Sequence, residues 1–260
     1  MKILVTFALE TEFAPWRKLR DFRAAKWGTG RVDVAKIDDA DVAVLLTGVG
    51  ARHAGSRASA VIRGEPESIA CCISSGLAGA LRPEYKLNQV LAARNVNRDM
   101  IDEDTPPGAL ECDPFLLDLA RECGATVVGR IQTSDRVIST AKEKRFLGVN
   151  SDAADMESFA VVQQAGAFAI PSVVIRGISD TSEENLPLDM NRIIARDGRI
   201  SIAKILGQLA WQPHALPRLI RFGEQSKRAA ETLVNFLDRY VQTFVREGMK
   251  KPVKSAVIAR

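Results

Sequence analysis

The chain has few histidines and cysteines and no long apolar run. It holds two histidines and four cysteines in 260 residues, and 6% of its residues are aromatic. Two histidines exclude a histidine-rich metal site and give a serine–histidine triad little to draw on. The cysteines form no CxxC pair, which argues against a disulfide framework. No segment approaches the roughly 18 uncharged apolar residues of a membrane helix. We therefore expect a globular chain that uses no metal and no organic cofactor.

The first residues are apolar but do not form a targeting signal. The run Met1–Leu9 is interrupted by Glu10 and Glu12, and no small-residue cleavage site follows. A secretory signal needs a longer apolar core and such a site. This segment is predicted to be the first β-strand of a cytoplasmic protein.

Charge is distributed unevenly along the chain. Residues 192–260 hold 14 Lys and Arg against 5 Asp and Glu, whereas residues 1–191 hold 22 against 27. A basic tail can meet nucleic acid, an anionic membrane surface or an acidic partner, and it can equally be a solvated helical face. Nucleic acid is the weakest of these interpretations, because no aromatic residues interleave with the basic ones and no known motif is present. A peripheral contact with the inner membrane face stays open.

Short apolar, β-branched runs alternate with helical patterns, which predicts an α/β protein. Strands are predicted at Ile3–Ala8, Val42–Thr47, Ile69–Ser74, Gln89–Val96, Thr126–Ile131 and Ser172–Ile178. Helices are predicted at Ala51–Arg63, Pro114–Cys123, Ala141–Leu147 and Met156–Gly166, with Asp152 and Asp155 as capping candidates for the last. Several strands end in glycine or small polar residues, and in such sheets ligands bind beyond the carboxyl ends of the strands.

The pattern becomes wholly helical after the strand that ends near Ile178. We divide the chain into an α/β domain over residues 1–190 and a basic helical extension over residues 191–260, packed on or beside it. From Ala230 onward the apolar residues keep a helical period, at Leu233, Val234, Leu237, Tyr240, Val241 and Phe244. This region is predicted to be one amphipathic helix.

Four segments together resemble the purine nucleoside phosphorylase superfamily, and within it the methylthioadenosine/S-adenosylhomocysteine nucleosidases. They are Ala8-Leu9-Glu10-Thr11-Glu12, Thr47-Gly48-Val49-Gly50, Gly76-Leu77-Ala78-Gly79-Ala80-Leu81, and Asp155-Met156-Glu157-Ser158 with Arg176-Gly177-Ile178-Ser179-Asp180. None of these motifs is specific by itself; their order and spacing carry the resemblance. It implies a three-layer αβα sandwich around a mixed sheet, cleavage of an N-glycosidic bond, and a homodimer or larger homo-oligomer.

The resemblance gives roles to Asp180, Glu157 and Met156. Cleaving an N-ribosyl bond builds negative charge on the departing purine, so an acid must protonate the base. Asp180 is predicted to be that acid, kept protonated by partial burial. Glu157 is expected to bind the ribose hydroxyls, with Met156 against the sugar. Ser179, which precedes Asp180 in the motif, is predicted among the substrate-binding residues.

Glu12 is the candidate for positioning the attacking water, and Arg176 could share that task. The arrangement parallels inverting glycosidases, in which two carboxyl groups act on opposite faces of the sugar. Glu10 is the rival if the first strand continues past Leu9, because residues two apart on a strand point to the same face.

The glycine segments and one loop are predicted to line the site. Small residues after a strand let backbone amides approach a ligand closely. The lining residues predicted from these segments are Gly48, Gly50, Leu77, Ala78 and Gly79. The loop Thr133–Ile138 stands where the family holds the purine, with Ile138 as a backbone contact to the base and Val137 where nucleosidases have an aromatic residue.

Departures from the family pattern narrow the activity. Ser74 and Leu77 stand where the phosphorylases of the family carry phosphate ligands, so hydrolysis is favoured and phosphate remains possible as a co-substrate. The glycine segment in its form Gly76-Leu77-Ala78-Gly79, together with the segment Trp211–Leu219, is similar to the hopanoid-associated phosphorylase group. This resemblance implies an adenosylhopane substrate. Futalosine-type nucleosidases share the glycine segment but match Ile178-Ser179-Asp180 less well. Phosphorolysis, and a non-catalytic nucleoside-binding protein on the same fold, stay open as alternatives.

Overall fold

A computed structural model describes residues 1–64, 66–98, 108–195 and 197–250. In these residues the strands are β1 Lys2–Phe7, β2 Arg23–Trp27, β3 Gly30–Ile37, β4 Ala40–Leu46, β5 Ile69–Ala80, β6 Val90–Arg98, β7 Leu110–Glu111, β8 Thr126–Thr133, β9 Ala153–Asp155 and β10 Ser172–Asp180. The helices are α1 Glu10–Leu19, α2 Ala51–Ile62, α3 Pro114–Glu122, α4 Ala141–Leu147, α5 Ser158–Gly166, α6 Met190–Ile193, α7 Ile202–Trp211 and α8 Leu216–Lys250.

All of the described strands belong to one mixed sheet, with helices on both sides, so the predicted fold class is confirmed. The order is β10-β6-β8-β9-β5-β1-β4-β3-β2, with β7 on β6. Strand β5 also pairs with β10, so the five strands at that end close into a ring. Strand β5 is long, at 12 residues, and runs on past the last residue that it pairs with β1, Ser74. The ends of β5 and β10 therefore lie side by side beyond the shorter strands.

Alternating side chains feed two hydrophobic clusters, one on each face of the sheet. Ile3 and Val5 of β1 belong to the cluster that also contains α1, α3 and α8, whereas Leu4 belongs to the cluster with α2 and α5. Cys71 and Cys72 divide in the same way, as their adjacent positions in an apolar strand predicted, and all four cysteines are free.

The second half of α8 is part of the main core. Its apolar face, from Leu233 to Val245, lies buried against β10, α1 and α3. Asp238 on this helix accepts hydrogen bonds from the Trp16 indole at 2.9 Å and from the Arg20 guanidinium at 2.7 and 2.8 Å. Buried apolar side chains contribute roughly 1.5 to 3 kcal/mol each, so this part of α8 holds the α/β domain together. None of the described helices combines the length and the apolar character that crossing a membrane requires.

Two local expectations differ from the structure. Helix α5 begins at Ser158 rather than Met156, with Glu157 at its N-cap, and Asp155 accepts the amides of Glu157 and Ser158 at 3.3 Å. Asp152 does not cap this helix, because its carboxylate accepts the Arg130 amide and the Tyr85 hydroxyl, both at 2.8 Å.

Candidate active site

A cavity of about 170 Å³ opens where β5 and β10 end. It is lined by side chains from both strands, from α1 and α4, and from the residues that lead into α5. The acids in its wall are Glu12, Asp155, Glu157 and Asp180, and the predicted residues Leu77, Ala78, Gly79, Val137, Ile138, Met156 and Ser179 also line it. Most of the exposed wall is apolar, which is the usual character of a small-molecule site with a few convergent polar groups.

Asp180 reaches the cavity because of an irregularity in β10. Ile178 pairs with Ala78 and Asp180 with the very next residue of β5, Gly79, so Ser179 is an extra residue in the ladder. Such a bulge re-aims the side chain that follows it. A Cβ on Gly79 would lie 2.8 Å from Asp180 Oδ2, so only glycine leaves room for this carboxyl. The Ser179 hydroxyl donates to Asp180 Oδ1 at 2.7 Å, which places Ser179 as a support for Asp180.

Lys144 contacts Asp180 and was not singled out from the sequence. It is buried on α4, and its Nζ donates to Asp180 Oδ2, to the Thr181 carbonyl at 2.8 Å and to the Glu184 carbonyl at 3.1 Å. The sequence expectation treated Asp180 as an isolated buried acid. The structure instead shows an ion pair in which a protonated amine lies against the carboxyl, so a proton source adjoins the cavity.

Glu12 is buried, and its carboxylate is oriented by two backbone amides. Oε1 accepts the Leu77 amide and Oε2 the Leu9 amide, both at 2.9 Å. Burial raises the pKa of Glu12, while the two amides and the charge of Arg176 oppose that rise. Because β1 ends at Phe7 and α1 begins at Glu10, the strand alternation that would have favoured Glu10 does not apply; Glu10 is exposed and pairs with Arg17.

Arg176 does not line the cavity, and the catalytic role expected for it stays a prediction. It lies buried behind β5, where Nε donates to Asp155 at 2.8 Å and Nη2 to Ser158 and Ser74 at 2.7 and 3.2 Å. These hydrogen bonds hold its guanidinium inside the protein. Arg176 nevertheless lies close to Glu12. A Cβ placed on Gly76 would lie 2.6 Å from Arg176 Nη1 and 3.2 Å from Glu12 Oε1. The charge of Arg176 accordingly acts to lower the pKa of Glu12.

Glu157 and Met156 form the wall between β9 and α5. Glu157 does not cap α5 with its side chain; instead Oε1 accepts the Gly50 amide at 2.8 Å. Burial raises the pKa of Glu157 to about 8, the charges of Asp155 and Glu12 act in the same direction, and Arg176 and the Gly50 amide act against them. Such perturbed acids in a cavity mark a functional site.

Gly48 and Gly50 were predicted to line the site, and neither does. Gly50 stands before α2, where its amide is used by Glu157, and Gly48 faces the backbone of residues 197 and 198. The residue between them, Val49, lines the cavity. Both glycines have positive φ, at +72° and +102°, so their function is to form the turn that places Val49 and the Gly50 amide.

The loop predicted to hold the purine is clamped from α6. The Asn191 side chain accepts the Val137 amide at 2.7 Å and donates to the Val137 carbonyl at 3.0 Å. Ile138, the predicted backbone contact to the base, is buried and lines the cavity. Asn191, Met190 and Phe222 were missed, because nothing in their local sequence indicates that residues after 185 return to the site.

A larger groove of about 790 Å³ adjoins the cavity. It runs between α1 and α8, and its wall is mainly apolar. Six residues line both spaces, which makes the two continuous: Leu9, Glu12, Leu77, Ser179, Met190 and Phe222. Within the described residues, no cluster of three His, Cys, Asp or Glu side chains is arranged to hold a metal ion.

Comparison with known proteins agrees with the fold described above. Residues 2–210 match the Phosphorylase superfamily. An aminodeoxyfutalosine nucleosidase of Campylobacter jejuni is 24% identical over 224 residues, which cover 79% of this chain and 97% of that protein. A 5′-methylthioadenosine/S-adenosylhomocysteine nucleosidase of Hydrogenovibrio crunogenus is 25% identical over 231 residues, covering 80% and 98%. The solved structure of a futalosine hydrolase mutant of Helicobacter pylori superposes with a TM-score of 0.70 at 20% identity, covering 94% of this chain and 99% of that one.

Proposed function

The chain belongs to the phosphorylase superfamily, and from that premise we propose that it hydrolyses the N-glycosidic bond of an adenine nucleoside with a 5′-substituted ribose. One observation carries the proposal: a single cavity at the strand ends brings together Glu12, Glu157 and Asp180. Bond cleavage leaves negative charge on the purine and positive charge on the sugar, so acids are required at both parts of the substrate.

Asp180 and Lys144 act on the base in this proposal. As the bond between C1′ and N9 breaks, its electron pair goes to the purine. The Lys144 ammonium passes a proton to the Asp180 carboxylate, and Asp180 delivers a proton to N7 and is left as the carboxylate beside the neutral amine. Ile138 and Val137 hold the purine from the loop that Asn191 clamps.

Glu157, Met156 and Glu12 act on the sugar. Glu157 accepts the ribose hydroxyls, which orients the ring. Its pKa of about 8 means that it supplies negative charge near the cationic carbon of the transition state only once it has lost its proton. Glu12 holds the attacking water and takes one of its protons, for which a raised pKa makes it a better base. The Leu77 amide donates a hydrogen bond to the Glu12 carboxylate. Gly79 lies beside the Asp180 carboxyl. These two residues of β5 lie roughly 7 Å apart, so a ribosyl group has room between the acids.

Water is the proposed acceptor because the residues at the phosphate positions are otherwise engaged. Ser74 is buried, with its hydroxyl in the network of Arg176 and Ser158, and does not line the cavity. Leu77 has no anion-binding side chain, and its amide is used by Glu12. Arg52 is exposed outside the cavity. The two cationic residues in the cavity wall, Arg136 and Lys144, are paired with Glu143 and Asp180, so the described residues offer a phosphate no unpaired cation in the cavity.

The groove beside the cavity supports a bulky apolar 5′ substituent. The methylthio and homocysteine groups named in the Hydrogenovibrio relative's substrates are small beside a groove of about 790 Å³. An apolar group that leaves water there contributes roughly 25 cal/mol per Å². A lipid-tailed nucleoside such as adenosylhopane is our candidate for this substrate class.

Filling the groove should discriminate between substrates. Gly223 lines the groove, and a Cβ there meets nothing within 4 Å. We expect Gly223→Phe to lower kcat/KM at least about tenfold for an adenosine with a long alkyl 5′ group, because tenfold corresponds to about 1.4 kcal/mol of lost burial, and to leave methylthioadenosine cleavage within about twofold. The measurement is release of adenine from both substrates.

The matched control is Gly166→Phe, because Gly166 is an equally open, exposed helical glycine that does not line the groove. Equal loss on both substrates in Gly223→Phe, or the same pattern in the control, would argue against the groove as the 5′ site.

A further inference from the structure

An exposed apolar surface lies on α7 and the first turns of α8. None of the ten residues of α7 is buried; Trp211 is 89% exposed, Ile202 72% and Leu206 61%. Ile200, Leu216 and Ile220 are exposed beside them. These six account for more than half of the eleven large exposed hydrophobic residues found in the described part of the chain. We call this set, Ile200, Ile202, Leu206, Trp211, Leu216 and Ile220, the α7 surface.

Only part of the apolar side of α7 packs against the protein. Ile205 and Leu209 pack on a small cluster formed by Leu188, Ile193 and Ala215. Ile202 and Leu206 are neighbours of these two residues on the helix yet remain exposed, and Trp211 is exposed on the opposite side. Large apolar residues exposed together in one segment point to an interaction site.

The segment that carries the α7 surface is basic. Residues 191–230 contain 8 Lys and Arg against 2 Asp and Glu, a net charge of +6. Arg192, Arg199 and Arg221 are each at least three quarters exposed, and their ion pairs with acids are open to water. Exposed pairs of this kind contribute little, so the arginines can exchange these partners for anionic ones.

We propose that the α7 surface docks the protein on an anionic lipid bilayer. Exposed apolar residues on a helix, a tryptophan at its end and exposed arginines in the same segment are the features of a helix that lies in the membrane interface. A second copy of the chain fits less well, because a two-fold interface would bring Arg192, Arg199 and Arg221 of both copies towards each other.

Two further observations separate this proposal from docking through the amphipathic helix predicted in the tail. The apolar face of that helix, from Leu233 to Phe244, is buried in the core and is not free for lipid. One residue of the α7 surface, Ile200, lines the groove together with Met190 and Phe222. Docking through this surface would bring that end of the groove near the bilayer, from which an apolar 5′ group would enter.

Tryptophan fluorescence provides a direct test. The chain has three tryptophans, and Trp16 and Trp27 are buried, so a change of emission on binding reports Trp211. The full chain is mixed with vesicles of phosphatidylcholine alone or with added phosphatidylglycerol, without nucleoside. We expect an emission shift to shorter wavelength and co-flotation with the anionic vesicles only, weakening as salt screens the exposed arginines.

The variant Leu206→Glu/Trp211→Glu should lower the vesicle partition coefficient at least about tenfold, because both apolar side chains leave water on binding. The matched control is Phe146→Glu/Val149→Glu, which changes two residues of similar exposure, 78% and 74%, outside the surface. The control should bind like the unchanged chain. Thermal unfolding of both variants shows whether each remains folded.

Three results would overturn the proposal. The first is absence of binding to anionic vesicles, and the second is equal loss of binding in the control. The third is evidence for another partner. Such evidence would be a dimer that the α7 variant converts to monomer, or binding to polyglutamate as strong as binding to anionic vesicles. Because vesicle binding is measured without substrate, its failure leaves the proposed nucleosidase activity untouched.

Discussion

Asp180→Asn is expected to lower kcat for methylthioadenosine at least about 100-fold, with KM changed little. A positioned acid contributes roughly 10²- to 10⁴-fold, and the amide keeps the shape of the side chain but cannot give a proton to the purine. The Ser179 hydroxyl can still donate to the amide oxygen, so the site should keep its geometry. Steady-state release of adenine measures the effect.

Two companion experiments assign the loss to proton transfer. A riboside whose leaving group needs no protonation should lose far less activity in Asp180→Asn. Lys144→Met should alter the shape of the pH profile of kcat, and Lys144→Arg should restore it in part, whereas a purely structural lysine would change only the melting temperature. Near-normal turnover in Asp180→Asn would remove Asp180 from the mechanism.

Glu12→Gln is expected to cause a loss of similar size, about 100-fold in kcat, because an amide cannot accept a proton from the attacking water. In the unchanged enzyme, activity should fall on the acid side as Glu12 becomes protonated. Its pKa is raised by burial, so this fall should lie at a higher pH than for an ordinary glutamate. The pH dependence of kcat/KM tests whether the acid limb is displaced to higher pH.

Glu10→Gln is the matched control, because Glu10 lies two residues away on α1 but is exposed and pairs with Arg17. It should keep nearly full activity. Equal losses in the two variants, or none in Glu12→Gln, would contradict the placement of the water at Glu12.

Six of the ten described strands were predicted from local signals, whereas β2, β3, β7 and β9 were not. Apolar β-branched runs predicted β1, β4, β6, β8 and β10 to within two residues at each end, although β5 continues six residues beyond the predicted end at Ser74. The acids follow strands or precede a helix, and the carboxyl ends of neighbouring strands meet at one edge of a sheet. The resemblance assigned Glu12 and Asp180 to one site, and both line the cavity.

Long-range partners could not be predicted in this way. Helix α4 was predicted at its observed bounds, yet nothing in Ala141–Leu147 indicates that Lys144 faces Asp180, 36 residues later. The same holds for Arg176, which looked available beside the acids but is paired with Asp155. Phe222 and Asn191 reach the site only because the chain after β10 folds back over it.

Product analysis in ¹⁸O-labelled water tests the central claim most directly. The purified chain is incubated with methylthioadenosine in phosphate buffer, and both products are identified by mass spectrometry. The account predicts free adenine and methylthioribose with one ¹⁸O at C1, at a rate independent of phosphate. A 5-methylthioribose 1-phosphate product with a rate that saturates in phosphate would contradict hydrolysis. A folded chain that binds the nucleoside without releasing adenine would contradict enzymatic function.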